Sequence, residues 1–231
     1  MINKLTANTI HIATIDSSPT IYYEDLYQEI LSKDEKTRAD KFYFEHHRKN
    51  FIIFRATLRQ TVSKHLNISA EKIKFKYAKF GKPEIITAQN KQNIQFNISH
   101  SENIALIAIC KNKHIGIDIE QVRDLKDYQK ISERFFSKKE NQAVLKEPIK
   151  NQIKTFFQIW TRKEALIKAS GKGLFQNLNS FSTIYSKNAK TKKITLDPNQ
   201  TFILQDIQAA TNFKSAICIK NSKPANLIFI S

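Results

Sequence analysis

Apolar and polar positions alternate over 9–15, 73–78 and 94–98, which predicts β-strands with one buried face. Residues 104–110 are apolar without a break, which predicts a strand buried on both faces. The polar run Ser99-His100-Ser101 then falls near the tip of a hairpin. The sharpest alternation is Ile115-Gly116-Ile117-Asp118-Ile119-Glu120, with isoleucine at every second position. The tail alternates through 181–185, 193–196, 201–204, 215–219 and 227–230, a strand-rich finish with no chemistry of its own.

Helical periodicity governs 22–32, a short segment holding Arg38 and Lys41, and 48–66. In the last of these Phe51, Leu58, Val62 and Leu66 share an apolar face. Arg48, Arg55 and Arg59 form a second stripe, either a solvated basic face or a wall facing phosphate. Helices are also expected over 125–136, from Ser137 to Pro148, and over 156–169. Ser137 and Glu140 have capping-box spacing.

Three stretches carry candidate chemistry. In the hexapeptide, Asp118 and Glu120 leave one side of a strand about 7 Å apart. Two such acids suit a hard divalent cation such as Mg²⁺, or are simply two acids on a surface strand. Gly116 on the same side leaves room for a close approach to the backbone. In the last helix Trp160, Glu164 and Lys168 recur every four residues and share a stripe. Glu before Lys at that spacing is also an ordinary helix ion pair. The turn Gly81-Lys82-Pro83 holds Lys82 on a stiff support, fit for a phosphate or merely wet. His100 either contacts a phosphate or caps its turn. His11 reads as a strand side chain rather than a ligand.

Composition narrows the class. With 231 residues and 41% apolar positions, the chain can build one core or two small ones. Its 38 Lys and Arg against 21 Asp and Glu give +17, which attracts nucleic acid, anionic lipid, phosphorylated ligands or an acidic protein. Cys110 and Cys218, each in an apolar run, are expected as free buried thiols. No signal peptide or membrane-length apolar run is read, so a cytoplasmic protein is expected. Glycine occurs four times, at Gly81, Gly116, Gly171 and Gly173, so each is expected to meet a backbone need.

The order of these motifs resembles one family. Gly81-Lys82-Pro83, Asn97 to Ser101, Gly116 to Glu120, Arg134-Phe135-Phe136-Ser137 through Glu140, Trp160 through Lys168, and Gly171 to Gly173 are similar to the larger type of 4′-phosphopantetheinyl transferase, which activates peptide and polyketide synthases. The resemblance spans about residues 35–185. It implies an α+β monomer of two similar halves, 1–112 and 113–231, with coenzyme A in the cleft between them. It implies transfer of the phosphopantetheine arm to a serine of an acidic apo carrier protein, release of adenosine 3′,5′-bisphosphate, and a need for Mg²⁺ or Mn²⁺. Asp118, Glu120 and Glu164 correspond to the metal ligands, Lys168 to the pyrophosphate contact, and Ser99, His100 and Lys82 to the nucleotide phosphate contacts. Glu164 is a candidate base for the serine. Of two basic residues expected early in the chain, Arg38 supplies the second; Glu35 stands at the first, with Lys36 beside it. Charge alone also admits a nucleic-acid-binding protein, which leaves the three acids without a use. An inactive coenzyme A-binding relative is the other alternative, and the retained acids argue against it.

Overall fold

The computed structural model describes residues 5–19, 23–78, 81–171, 177–186 and 189–230. Lys172 and Gly173, which belong to the last of the motifs, lie outside the described residues. The first half runs β1 (Thr9–Asp16), α1 (Tyr23–Glu29), α2 (Lys33–Ala39), α3 (Glu45–Leu66), β2 (Phe75–Tyr77), β3 (Pro83–Ile85), β4 (Ile94–Ser101) and β5 (Ile104–Lys111). The second runs β6 (Ile115–Gln121), α4 (Tyr128–Phe135), α5 (Lys138–Lys146), α6 (Ile149–Ser170), β7 (Lys192–Asp197), β8 (Gln200–Ile207), β9 (Phe213–Lys220) and β10 (Asn226–Ile230).

Two four-stranded sheets result, ordered β10-β1-β5-β4 and β6-β9-β8-β7, beside a β2-β3 hairpin. Each sheet carries one 22-residue helix, α3 or α6. Ile53, Leu58 and Val62 of α3 pack on Ala105, Ile107 and Ile109 of β5. Ala165, Leu166 and Ala169 of α6 pack on Leu204 and Cys218 of the second sheet. The opposite faces meet in a shared core, where Ile10, Ile12, Leu106 and Ala108 touch Ile115, Ile117, Ile119 and Ile217. β5 is buried on both faces, as its unbroken apolar run predicts. The α+β class and the two sheet–helix halves follow from this arrangement. The last strand, β10, returns to pair in parallel with β1, so residues 226–230 belong to the first sheet.

The edges β4 and β6 meet through side chains. Asn97 Oδ1 accepts from the Ile117 amide at 2.8 Å, and Ser101 Oγ from the Gln121 amide at 3.1 Å. An edge strand's free amides need partners, and here the polar residues of β4 supply them. Ser99, His100 and Ser101 are thus strand residues; the turn beyond them is Glu102-Asn103, with Glu102 at φ 52°.

Several expectations are corrected. β6 is buried on both sides from Ile115 to Ile119, because α6 lies on the face that holds Gly116 and Asp118. The close approach at Gly116 is that of the helix: a Cβ there would stand 2.1 Å from Ala165 O. The arginine stripe is neither solvated nor a simple wall. Arg59 is buried and donates to Glu35 Oε2 at 2.6 Å and to the carbonyls of Ala70 and Ile73. Arg48 pairs with Glu24 at 2.8 Å. Residues 181–185 form no strand: Lys163 Nζ takes the carbonyls of Leu178 and Phe181, and Glu140 takes the amide of Thr183. α6 begins at Ile149, seven residues before its expected start, with Pro148 as its N-cap. Gly171 closes it at φ 69°, in the left-handed region that favours glycine. Cys110 and Cys218 are free and buried as expected. Among the described residues no helix is long and apolar enough to cross a membrane.

Candidate active site

β6 and α6 cross where Gly116 permits contact, and just beyond the crossing their polar residues open into a cleft of about 870 Å³. β6 contributes Asp118 and Glu120, α6 contributes Trp160, Glu164 and Lys168, and β4 contributes Ser99 and His100. Arg134 and Phe135 of α4 line the far side. Lys168 Nζ stands 2.6 Å from Asp118 Oδ1 and donates to Ser99 Oγ at 2.9 Å. Ser99 Oγ donates to the same Oδ1 at 2.8 Å. The stripe on α6 is therefore real, but Lys168 is held by the strand's aspartate across the cleft.

The carboxylates form a negative group that lacks enough cations. Burial, then the charges of Asp118 and Glu120, push Glu164 up to about 7 despite the opposing pull of Lys168. Burial, then Asp118, also raises Glu120, against Arg123 and Ser101, which hydrogen-bond it. Asp118 Oδ2 is buried without a hydrogen-bond partner among the described residues. An orphaned carboxylate oxygen beside two acids that resist ionisation is a donor set suited to a hard cation. The set is incomplete as it stands: among the described residues no three acidic, His or Cys side chains are close enough to hold an ion. Glu120 is drawn aside to Arg123, at 3.3 Å. Mg²⁺ commonly takes only one or two carboxylates and fills its sphere with water and substrate phosphate, and Asp118 and Glu164 line the same cleft.

A second cleft of about 600 Å³ shares Ile98 and His100 with the first. Arg38 lines it, 5.2 Å above the Phe51 ring. His100 lies against Phe54, ring centroids 5.5 Å apart, and burial keeps its pKa below the ordinary histidine value. Lys82 is not presented to either cleft as expected. Its ammonium turns inward to the carbonyls of Ile115 at 2.8 Å and Lys168 at 3.2 Å, where burial lowers its pKa to about 8. It fastens the start of β6 to the end of α6. Lys36, beside Glu35, is tied to the Gln28 carbonyl at 2.8 Å. Sequence reasoning missed both partners of Glu120: Arg123, three positions along the chain, and Ser101, which the folded chain brings to it.

Two sheet–helix halves thus flank a cleft lined by Asp118, Glu120 and Glu164, and a second cleft lined by Arg38 and Arg55 adjoins it. The comparisons with known proteins specify the family. A family model described as the 4′-phosphopantetheinyl transferase superfamily matches residues 114–218, and one described as the N-terminal part of 4′-phosphopantetheinyl transferase matches 18–112. The 4′-phosphopantetheinyl transferase HetI of Nostoc is 36% identical over 171 residues, 74% of this chain and 72% of that protein. The 4′-phosphopantetheinyl transferase Sfp of Bacillus subtilis is 27% identical over 192 residues, 83% of each chain. Among solved structures, a holo-[acyl-carrier-protein] synthase of Thermotoga maritima overlays 48% of this chain and 64% of its own at 17% identity and a TM-score of 0.30, an overlap too slight to bear weight. The chain belongs to the 4′-phosphopantetheinyl transferase superfamily.

Proposed function

We propose that this enzyme transfers the 4′-phosphopantetheine arm of coenzyme A to a serine of an acidic apo carrier protein and releases adenosine 3′,5′-bisphosphate. The observation that carries the proposal is the convergence of Asp118, Glu120, Glu164 and Lys168 from β6 and α6 on one cleft. In the reaction the serine oxygen forms a bond to the phosphorus that bears the arm. The bond from that phosphorus to the bridging oxygen breaks, and the bisphosphate leaves with the electron pair. Asp118 and Glu164 would hold Mg²⁺ or Mn²⁺, joined by Glu120 once it releases Arg123. A divalent ion held there would supply positive charge to offset that on the phosphate oxygens.

The chain's own residues do the rest. Lys168, already 2.6 Å from Asp118, donates to the phosphate as negative charge builds on it. Glu164 receives the serine proton, directly or through a water. Ser99 fixes Lys168 by a hydrogen bond, and Phe135 and Trp160 give the cleft an apolar wall for the arm. Incubation with coenzyme A, Mg²⁺ and apo carrier proteins, read by intact mass, tests the activity. Glu164→Gln should abolish transfer while the melting temperature stays within a few degrees of wild type. Turnover retained in that variant removes Glu164 from the mechanism.

A further inference from the structure

The corner between α5 and α6 takes no part in the proposed chemistry. None of residues 138–154 lines either cleft described above. Helix α5 stops short of Pro148, which is the N-cap of α6, and Ile149 is the first residue of the new helix. Ile149 is 85% exposed, and Leu145 in the last turn of α5 is 48% exposed. One apolar side chain on a surface needs no explanation; two beside one bend begin a patch. At about 1.5 Å per residue, Ile149 lies roughly 22 Å along α6 from Glu164.

The surroundings of this patch are basic. Lys138, Lys139, Lys146, Lys150 and Lys154 are all exposed. On α5, Lys138 precedes Leu145 by seven positions, two turns along one face, and Lys139 and Lys146 repeat that spacing beside it. On α6, Lys150 and Lys154 stand one turn apart. The acid within α5, Glu140, is fully buried with Val144 and paired with Lys163, so it does not offset these charges at the surface. Over 138–154 that leaves Glu147 against five lysines.

We propose that this corner docks on an anionic lipid surface. Ile149 and Leu145 enter the boundary between headgroups and acyl chains, and the lysines lie against the headgroup phosphates and carboxylates. The charge requires an anionic partner. A nucleic acid backbone has no apolar layer to receive Ile149. A stable protein interface needs about 800 Å² on each partner with an apolar centre, and two side chains at a projecting bend supply little of that. A bilayer takes in a projecting tip without a matching groove. Docked in this way, the protein keeps its catalytic cleft clear of the contact, some four turns further along α6.

Sedimentation of the full chain with vesicles, at about 0.1 M salt, tests the proposal. Vesicles of phosphatidylcholine with about a third phosphatidylserine should bind it at least roughly tenfold more tightly than phosphatidylcholine alone. Lys146→Gln/Lys150→Gln should weaken that binding on the order of twentyfold, about fivefold for each lysine. Ile149→Ser should weaken it about tenfold, since the side chain no longer gains from burial in lipid. Lys91→Gln/Lys223→Gln removes two exposed lysines from the loops leading into β4 and β10 and should cost less, which separates a local contact from overall charge. All these side chains are exposed and outside the lining of both clefts, so melting and carrier modification in solution should match wild type. Equal binding to the two kinds of vesicle, wild-type binding by Ile149→Ser, or equal losses from the two lysine pairs overturns the proposal. Capture by poly-glutamate as tight as capture by the mixed vesicles overturns it too, and marks the partner as an acidic protein.

Discussion

Replacing Gly116 by alanine tests the contact on which the acid-lined cleft depends. The added Cβ would lie 2.1 Å from Ala165 O, 2.4 Å from Ala169 N and 2.8 Å from Lys168 Cβ. The two nearest atoms are helix backbone, so no rotamer change relieves them. Van der Waals contact requires carbon at roughly 3.5 Å, so β6 and α6 must separate by about 1 Å or more. Overpacking of this kind costs about 1–3 kcal/mol, and a backbone obstacle puts it at the upper end. In a domain of this size, about 3 kcal/mol lowers Tm by roughly 6–12 °C. The same shift moves Glu164 and Lys168 away from Asp118. A misplacement of about 1 Å can cost on the order of a hundredfold in rate. Differential scanning calorimetry and the carrier-modification assay, run on one preparation at a temperature where the variant is folded, read both effects. A Gly116→Ala protein that melts within about 1 °C of wild type would refute the packing account. One that is destabilised but transfers at full rate would show that the crossing does not set the site's geometry.

Other parts of the molecule are open to similar tests. Lys163→Met strands Glu140, a fully buried acid 2.8 Å from the lysine ammonium, and should lower stability by about 3–5 kcal/mol in denaturant titration. A small change would mean that Ser137 and Thr183 suffice for that carboxylate. His65, packed 5.1 Å from His11, is held to about 4 by burial, below its unfolded value. Its neutral form therefore supports the fold fully above about pH 6.5, and that contribution is lost as pH falls through about 4. His65→Leu should flatten part of this acid limb in melts from pH 7 to 4, and an identical limb in variant and wild type would exclude His65 as its source. With a net charge of +17, transfer to an acidic carrier should slow between roughly 50 and 300 mM salt, mainly in kcat/KM; a rate indifferent to salt would exclude steering.

Periodicity revealed what local chemistry decides. The unbroken run 104–110 became the doubly buried β5, and Ser137 with Glu140 became a capping box. The four-residue recurrence of Trp160, Glu164 and Lys168 put all three on the cleft. What escaped were groups whose environment comes from a distant element. Arg59 and Lys163 look solvated in sequence because a cation is rarely buried unless paired. Their partners, Glu35 and Glu140, lie 24 and 23 positions away and arrive from other helices. Ser99, His100 and Ser101 read as a polar run near a hairpin tip, yet Ser99 and Ser101 alternate with Asn97 along β4 toward β6. A polar strand face with no water to meet must satisfy another backbone or charge, and the edge of β6 has both. The same physics explains Lys82. A lysine on a tight turn can reach solvent, but the carbonyls of Ile115 and Lys168 lie within its reach and are otherwise costly to bury. Motif order thus pointed to residues that line the candidate cleft, Lys82 excepted, whereas the direction each side chain takes was decided by which unpaired groups the two sheets brought beside it.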